Sequence, residues 1–122
     1  MHVHLVFVPK FRHKVFTEAH LKRMEEIMRS VCTDFGCHLV EFTGEDNHVH
    51  LLVNFPPKVA VTKLVNSLKG VSSRRLRLEF PDLVRHYWRA NKLWSGSYFA
   101  GSTGGAPLSI VKQYIDQQNR PV

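Results

Sequence analysis

Residues 37–43 (CHLVEFT) and 48–55 (HVHLLVNF) are rich in β-branched and aromatic side chains and flank the turn-forming stretch GEDN at 44–47. That pattern predicts a β-hairpin. A two-stranded hairpin is marginal in water and has to cover one apolar face with other elements. The chain supplies them on both sides. Before the hairpin, Leu21, Met24, Ile27, Met28 and Val31 recur at helical spacing, with Thr17 placed to cap and Gly36 to stop a helix ending near Phe35. After it, Pro56 and Pro57 end the strand, and residues 59–79 return to a period near 3.6.

Residues 2–8 (HVHLVFV), closed by Pro9, predict a first strand, and 97–100 (SYFA) a short last one. Four of the seven glycines fall within ten residues, at Gly96, Gly101, Gly104 and Gly105. A tightly turning connection over 101–106 is expected there, followed by a terminal helix over 107–119 opened by Pro107. Strand, helix, strand, strand, helix, strand is the order of an α+β, ferredoxin-like split βαβ sandwich with an antiparallel sheet, here with one added C-terminal helix. At 122 residues a single domain, 1–122, is expected.

Composition narrows the partners. Lys and Arg number 17 against 10 Asp and Glu, a net charge of +7, which favours an anionic partner, nucleic acid above all. The excess is local: between 58 and 92 there are nine basic and two acidic residues. On a helix over 59–79, Val61, Leu64, Val65, Leu68 and Val71 share one side, while Lys63, Arg74 and Arg77 cluster on the other. Beyond it Tyr87, Trp88 and Trp94 interleave with Arg85, Arg89 and Lys92, a mixture that suits either backbone neutralisation with base stacking or a hydrophobic rim. Lys10, Arg12 and Lys14 form a second basic stretch.

No apolar run approaches the roughly 20 residues of a membrane-spanning helix. The opening segment is apolar first and basic afterwards, the reverse of a secretory signal, so a cytoplasmic protein with no membrane contact is expected. Cys32, Cys37 and His38 fall short of a zinc module, and two reduced structural thiols are expected.

Two groups of residues could carry chemistry. His48 and His50 are two apart on a predicted strand, so both imidazoles leave the same face about 7 Å apart and can share one metal ion. His2-Val3-His4 repeats the spacing, but only the second pair follows an acidic turn and enters an apolar strand in the middle of the sheet order. On the terminal helix, Tyr114 and Gln118 are four residues apart and stand about 40° from each other at the edge of the apolar side. A phenol and an amide oxygen can reach one site from there, the phenol as nucleophile and the amide as a ligand.

The joint order of these features resembles a known family. HVHLLV, FPPKV, KLVNSLKGVSSR, LWSGSYFAGSTGGAPL and KQYIDQQ, taken together, are similar to the single-tyrosine HUH transposases, the IS200-like or transposase A family, over nearly the whole chain. The resemblance implies a metal-dependent enzyme that cleaves and rejoins single-stranded insertion-sequence ends after binding DNA hairpins. By it, His48, His50 and Gln118 are metal ligands for Mg²⁺ or Mn²⁺, and Tyr114 is the nucleophile that forms a 5′-phosphotyrosine bond and frees a 3′-OH. It further implies a homodimer in which Gly104 and Gly105 form a hinge for exchange of the tyrosine helix. The expected DNA contacts are Lys10, Arg12, Lys14, Lys63, Lys69, Arg74, Arg75, Arg77, Arg85 and Arg89. The chain departs from the family pattern in two places: Met1 directly abuts the first strand, where a longer lead segment is usual, and Asn47 stands where Asp often precedes the His pair. A non-catalytic or domesticated hairpin-binding protein of the same fold is the competing expectation. A replication-initiator or relaxase-like nicking enzyme shares the chemistry but lacks this glycine-to-tyrosine-helix layout.

Overall fold

The computed structural model describes residues 1–9, 16–45, 48–86, 93–96 and 98–102. Its elements run β1 (His2–Phe7), α1 (Glu18–Asp34), β2 (His38–Gly44), β3 (Val49–Asn54), α2 (Val61–Glu79), α3 (Pro81–His86) and β4 (Phe99–Ser102). The four strands form one sheet in the order β2-β3-β1-β4, every neighbouring pair antiparallel. The hairpin of β2 and β3 therefore lies beside β1, and β4 closes the far edge. The expected terminal helix and the 103–106 part of the hinge lie outside the described residues.

Alternation assigns the two faces of the sheet. Val3, Leu5 and Phe7 of β1 and Val49, Leu51 and Val53 of β3 point to one side, are all buried, and pack in one cluster with Met24, Ile27, Met28 and Val31 of α1 and Leu64, Val65, Leu68 and Leu76 of α2. The opposite face carries His4 and Val6 of β1 with His50 and Leu52 of β3. Val6 is buried there too, apart from the main cluster.

In β2 the alternation is broken on purpose. Leu39 pairs with Val53 and Glu41 with Leu52, so Val40 is an extra residue, a β-bulge. The bulge puts Leu39 and Phe42, three apart in sequence, on the same core-facing side and turns Glu41 to the histidine face. The Arg29 guanidinium donates to the Leu39 carbonyl at 2.7 Å, tying the bulge to α1.

Helix boundaries follow side-chain chemistry. Thr17 caps α1, its hydroxyl accepting from the His20 amide at 3.3 Å, while the Thr17 amide donates to Nδ1 of His20 at 3.1 Å. With Nδ1 accepting, the neutral ring carries its proton on Nε2, which meets the Asp82 carboxylate at 3.0 Å. His20 thus joins the start of α1 to the start of α3 from a buried position. At the other end of α1, Gly36 takes φ 73°, the left-handed conformation of a helix stop.

The two thiols, Cys32 and Cys37, are free and buried. Burial, with a smaller contribution from Cys37, pushes the Cys32 thiol up to about 12, and burial raises Cys37 as well. Since the thiolate is the reactive form, native protein at about pH 8 is expected to resist iodoacetamide under conditions that label both cysteines of the denatured chain. Rapid native labelling, read by mass spectrometry, would contradict the packing described.

Candidate metal centre and nucleic-acid interface

The antiparallel register fixes what surrounds the histidine pair. His48 immediately precedes β3, and its carbonyl accepts from the Glu45 amide at 2.9 Å, which closes the hairpin turn. His50 lies opposite Thr43 of β2 on one side and Val6 of β1 on the other. Strand alternation turns both imidazoles to the face away from α1 and α2, as the sequence spacing predicts. His50 is half-buried, and burial holds its imidazole below the usual histidine range, helped by the nearby His4 and His48 and opposed by Glu41. A neutral imidazole offers a lone pair at neutral pH, so the donor chemistry of this face fits a divalent ion. Among the described residues, no group of three or more His, Cys, Asp or Glu is arranged to hold an ion by itself.

His4, set aside on sequence grounds, reaches this site. Its Nδ1 lies 2.9 Å from Nε2 of His50, with ring centroids 5.0 Å apart. The signal was present in the sequence as the repeated His-x-His spacing. What was missing was the register that puts the two strands side by side.

The basic helix builds a second feature. Ser72 and Ser73 of α2 are buried: the Ser72 hydroxyl donates to the Leu68 carbonyl at 2.6 Å and accepts from Nε1 of Trp94 at 2.9 Å, and the Ser73 hydroxyl accepts from the Leu93 amide at 2.9 Å. The Ser95 amide donates to the Val8 carbonyl at 2.8 Å. These bonds hold residues 93–95 between α2 and the end of β1. Trp94 packs against Phe7 and Phe16, so of the two roles open to it on sequence it takes the packing one and is not available to stack on bases. Between this segment and α2 opens a cleft of about 430 Å³, lined by Lys69, Arg74 and Arg77 together with Asn66, Ser73 and Trp94 to Gly96. Lys69 also lies over the Tyr98 ring, its Nζ 5.8 Å from the centroid.

Of the remaining sequence-predicted contacts, Lys63 is exposed in the first turn of α2, and Arg75 is exposed beyond the cleft lining, near Glu79. Glu79 itself bridges to Arg23 of α1 at 2.7 Å. Arg85 is carried by α3. Lys10, Arg12, Lys14, Asn47, Arg89, Gly104, Gly105, Tyr114 and Gln118 lie outside the described residues. Among the described residues, no helix is long and apolar enough to cross a membrane.

Comparison with known proteins gives this arrangement its context. The family described as "Transposase IS200 like" matches residues 1–118. The chain belongs to the IS200-like transposase family. Its relatives include the ISDra2 transposase TnpA of Deinococcus radiodurans, 29% identical over 116 residues, which cover 95% of this chain and 82% of that protein. The transposase for insertion sequence element IS200 of Salmonella typhimurium is 31% identical over 115 residues, covering 94% of this chain and 74% of its own. A crystal structure of a Deinococcus radiodurans protein assigned as a transposase superposes with a TM-score of 0.87 at 29% identity, over 99% of this chain and 92% of that one. The α+β fold with its four-stranded antiparallel sheet is therefore that of an IS200-like transposase. A REP-associated tyrosine transposase, solved bound to a REP hairpin, shares the fold alone, with a TM-score of 0.62 at 9% identity. Membership in this family assigns the chain to insertion-sequence transposition.

Proposed function

We propose that this IS200-like transposase cleaves and rejoins single-stranded insertion-sequence ends through a 5′-phosphotyrosine intermediate, after binding DNA hairpins. The observation that carries the reading is the pair His48 and His50 on the sheet face turned away from the helices, where burial holds the His50 imidazole below the usual histidine range, in a chain whose family match spans 1–118. The fold reading goes with it: a ferredoxin-like split βαβ sandwich forming one domain over 1–122, whose added helix over 107–119 brings Tyr114 and Gln118 to the histidine face.

His48, His50 and Gln118 would hold a Mg²⁺ or Mn²⁺ ion, which would polarise the scissile phosphate. The chain's own residues do the rest. Tyr114 gives its phenolic proton to solvent and its oxygen bonds to the phosphorus. The bond from phosphorus to the 3′ oxygen breaks, and that oxygen takes up a proton as a free 3′-OH. The phosphodiester energy is kept in the tyrosine ester, so rejoining needs no nucleotide hydrolysis. Lys63, Lys69, Arg74, Arg75, Arg77, Arg85 and Arg89, with Lys10, Arg12 and Lys14, neutralise the DNA backbone. The REP hairpin bound to the REP-associated tyrosine transposase of the same fold supports the choice of a hairpin partner. A homodimer with Gly104 and Gly105 as the hinge accommodates exchange of the tyrosine helix.

The test is direct. Purified protein is incubated with labelled single-stranded hairpin DNA from the ends of its own element and with Mn²⁺ or Mg²⁺, then denatured in SDS. A metal-dependent, SDS-resistant adduct is expected. Tight binding without any adduct on correct DNA would instead favour the binding-only protein of the same fold.

A further inference from the structure

The bond between His4 and His50 has no role in the function proposed above, yet its chemistry is constrained. The register sets His4 opposite Leu52, one step diagonally from His50 on the same face. At 2.9 Å, Nδ1 of His4 and Nε2 of His50 are in hydrogen-bond contact, and in a pair of neutral imidazoles one nitrogen must carry the proton and the other the lone pair. A neutral imidazole has a single N–H. If His50 accepted at Nε2, its proton would sit on Nδ1 and neither nitrogen could reach an ion with a lone pair. If His50 donates from Nε2, its Nδ1 lone pair is left open.

We propose that His4 is a positioning residue of the metal centre: by accepting the Nε2–H of His50 at its own Nδ1, it fixes the rotation and tautomer of that ring and leaves Nδ1 of His50 as the ligating atom. The inference rests on the proposed metal role of His48 and His50. A ligating histidine whose second nitrogen is bonded to a fixed partner loses less freedom on binding and is a better donor, and losing such a partner characteristically weakens metal affinity 10- to 100-fold.

The experiment titrates Mn²⁺ into the full chain by electron paramagnetic resonance, with no DNA present, for the parent protein and for His4→Phe, His4→Gln and His48→Ala. His4→Phe keeps the ring bulk without an acceptor and is expected to weaken Mn²⁺ binding by about 10- to 100-fold. His4→Gln returns an acceptor oxygen and is expected to recover most of that loss. Parent-like binding by His4→Phe, or no recovery in His4→Gln, overturns the proposal. If Mn²⁺ binding is lost in His48→Ala but untouched in His4→Phe, the positioning role alone fails. If the parent binds no Mn²⁺, or binds it equally with His48→Ala, the metal reading fails and takes the positioning role with it. A second measurement needs no variant: ¹⁵N NMR of the metal-free parent is expected to show His50 protonated on Nε2, and protonation on Nδ1 overturns the proposal.

Discussion

Tyr114→Phe is expected to lose cleavage and the SDS-resistant adduct by on the order of 10³-fold or more, the scale on which removing a nucleophile acts, while hairpin binding stays as in the parent. The substitution removes one oxygen and keeps the ring, so a loss of adduct with binding intact isolates chemistry from folding. Tyr98, the one tyrosine among the described residues, is a poor substitute nucleophile: it meets Phe7 edge to face, with ring centroids 6.5 Å apart, and lies beneath Lys69. Its ring is committed to packing on the side of the sheet that faces the helices. His50→Ala is expected to reproduce the loss of cleavage while keeping the tyrosine, because the proposed metal ligand is then gone. An adduct that survives Tyr114→Phe would move the nucleophile elsewhere and sink the assignment. Cleavage by His50→Ala at the parental rate would sink the metal assignment without touching the tyrosine.

Much of the fold was legible because its signals are local. Thr17 and Gly36 mark the ends of α1 by side-chain and backbone chemistry that operates within a few residues. The hairpin of β2 and β3 was legible from its turn and its alternation. What escaped depends on contacts distant in sequence. The bulge at Val40 makes sense only once Leu39 and Phe42 must both face the helices, and α1 supplies Arg29 to the kinked carbonyl. Strand β4 lies at Phe99–Ser102 rather than 97–100, because pairing with β1 from Val3 to Val6 sets it. The short helix α3 had a local mark, Pro81 followed by Asp82, that was lost in reading 58–92 as one basic run. Trp94 was ambiguous in sequence, since aromatic residues among basic ones suit both stacking and packing. Ser72, whose hydroxyl meets the indole N–H, decides it for packing. His4 shows the same limit at the candidate site: its spacing was visible and its neighbour was not.

The triple substitution Lys69→Ala, Arg74→Ala and Arg77→Ala is expected to weaken hairpin binding on the order of 100-fold near 0.1 M salt, and to lower the slope of log affinity against log salt by about 2 to 3. The size follows from counterion release. Each phosphate neutralised by a basic side chain contributes roughly 0.7 of slope on a single strand and 0.9 on a duplex, and the three residues line one cleft, so a strand docked in it can meet all three. Arg75→Ala is the comparison, since Arg75 stands among the proposed DNA contacts without lining the cleft. It removes the same charge from the same helix but from beyond the cleft lining, so its effect is expected to be the smaller share that a general positive field gives. If the charge of α2 acts only as a diffuse field, Arg75→Ala costs as much as any single cleft substitution and the slope falls in proportion to charge alone. If the cleft is the docking surface, the three cleft residues account for most of the slope. The structural losses in this comparison are the contact of Lys69 with the Tyr98 ring and the bond from Nε of Arg77 to the Ser73 carbonyl at 3.2 Å. Arg74 is exposed, and the buried bonds that hold Trp94 to α2 run through Ser72 and Ser73, so the triple variant keeps the cleft wall while removing its charge.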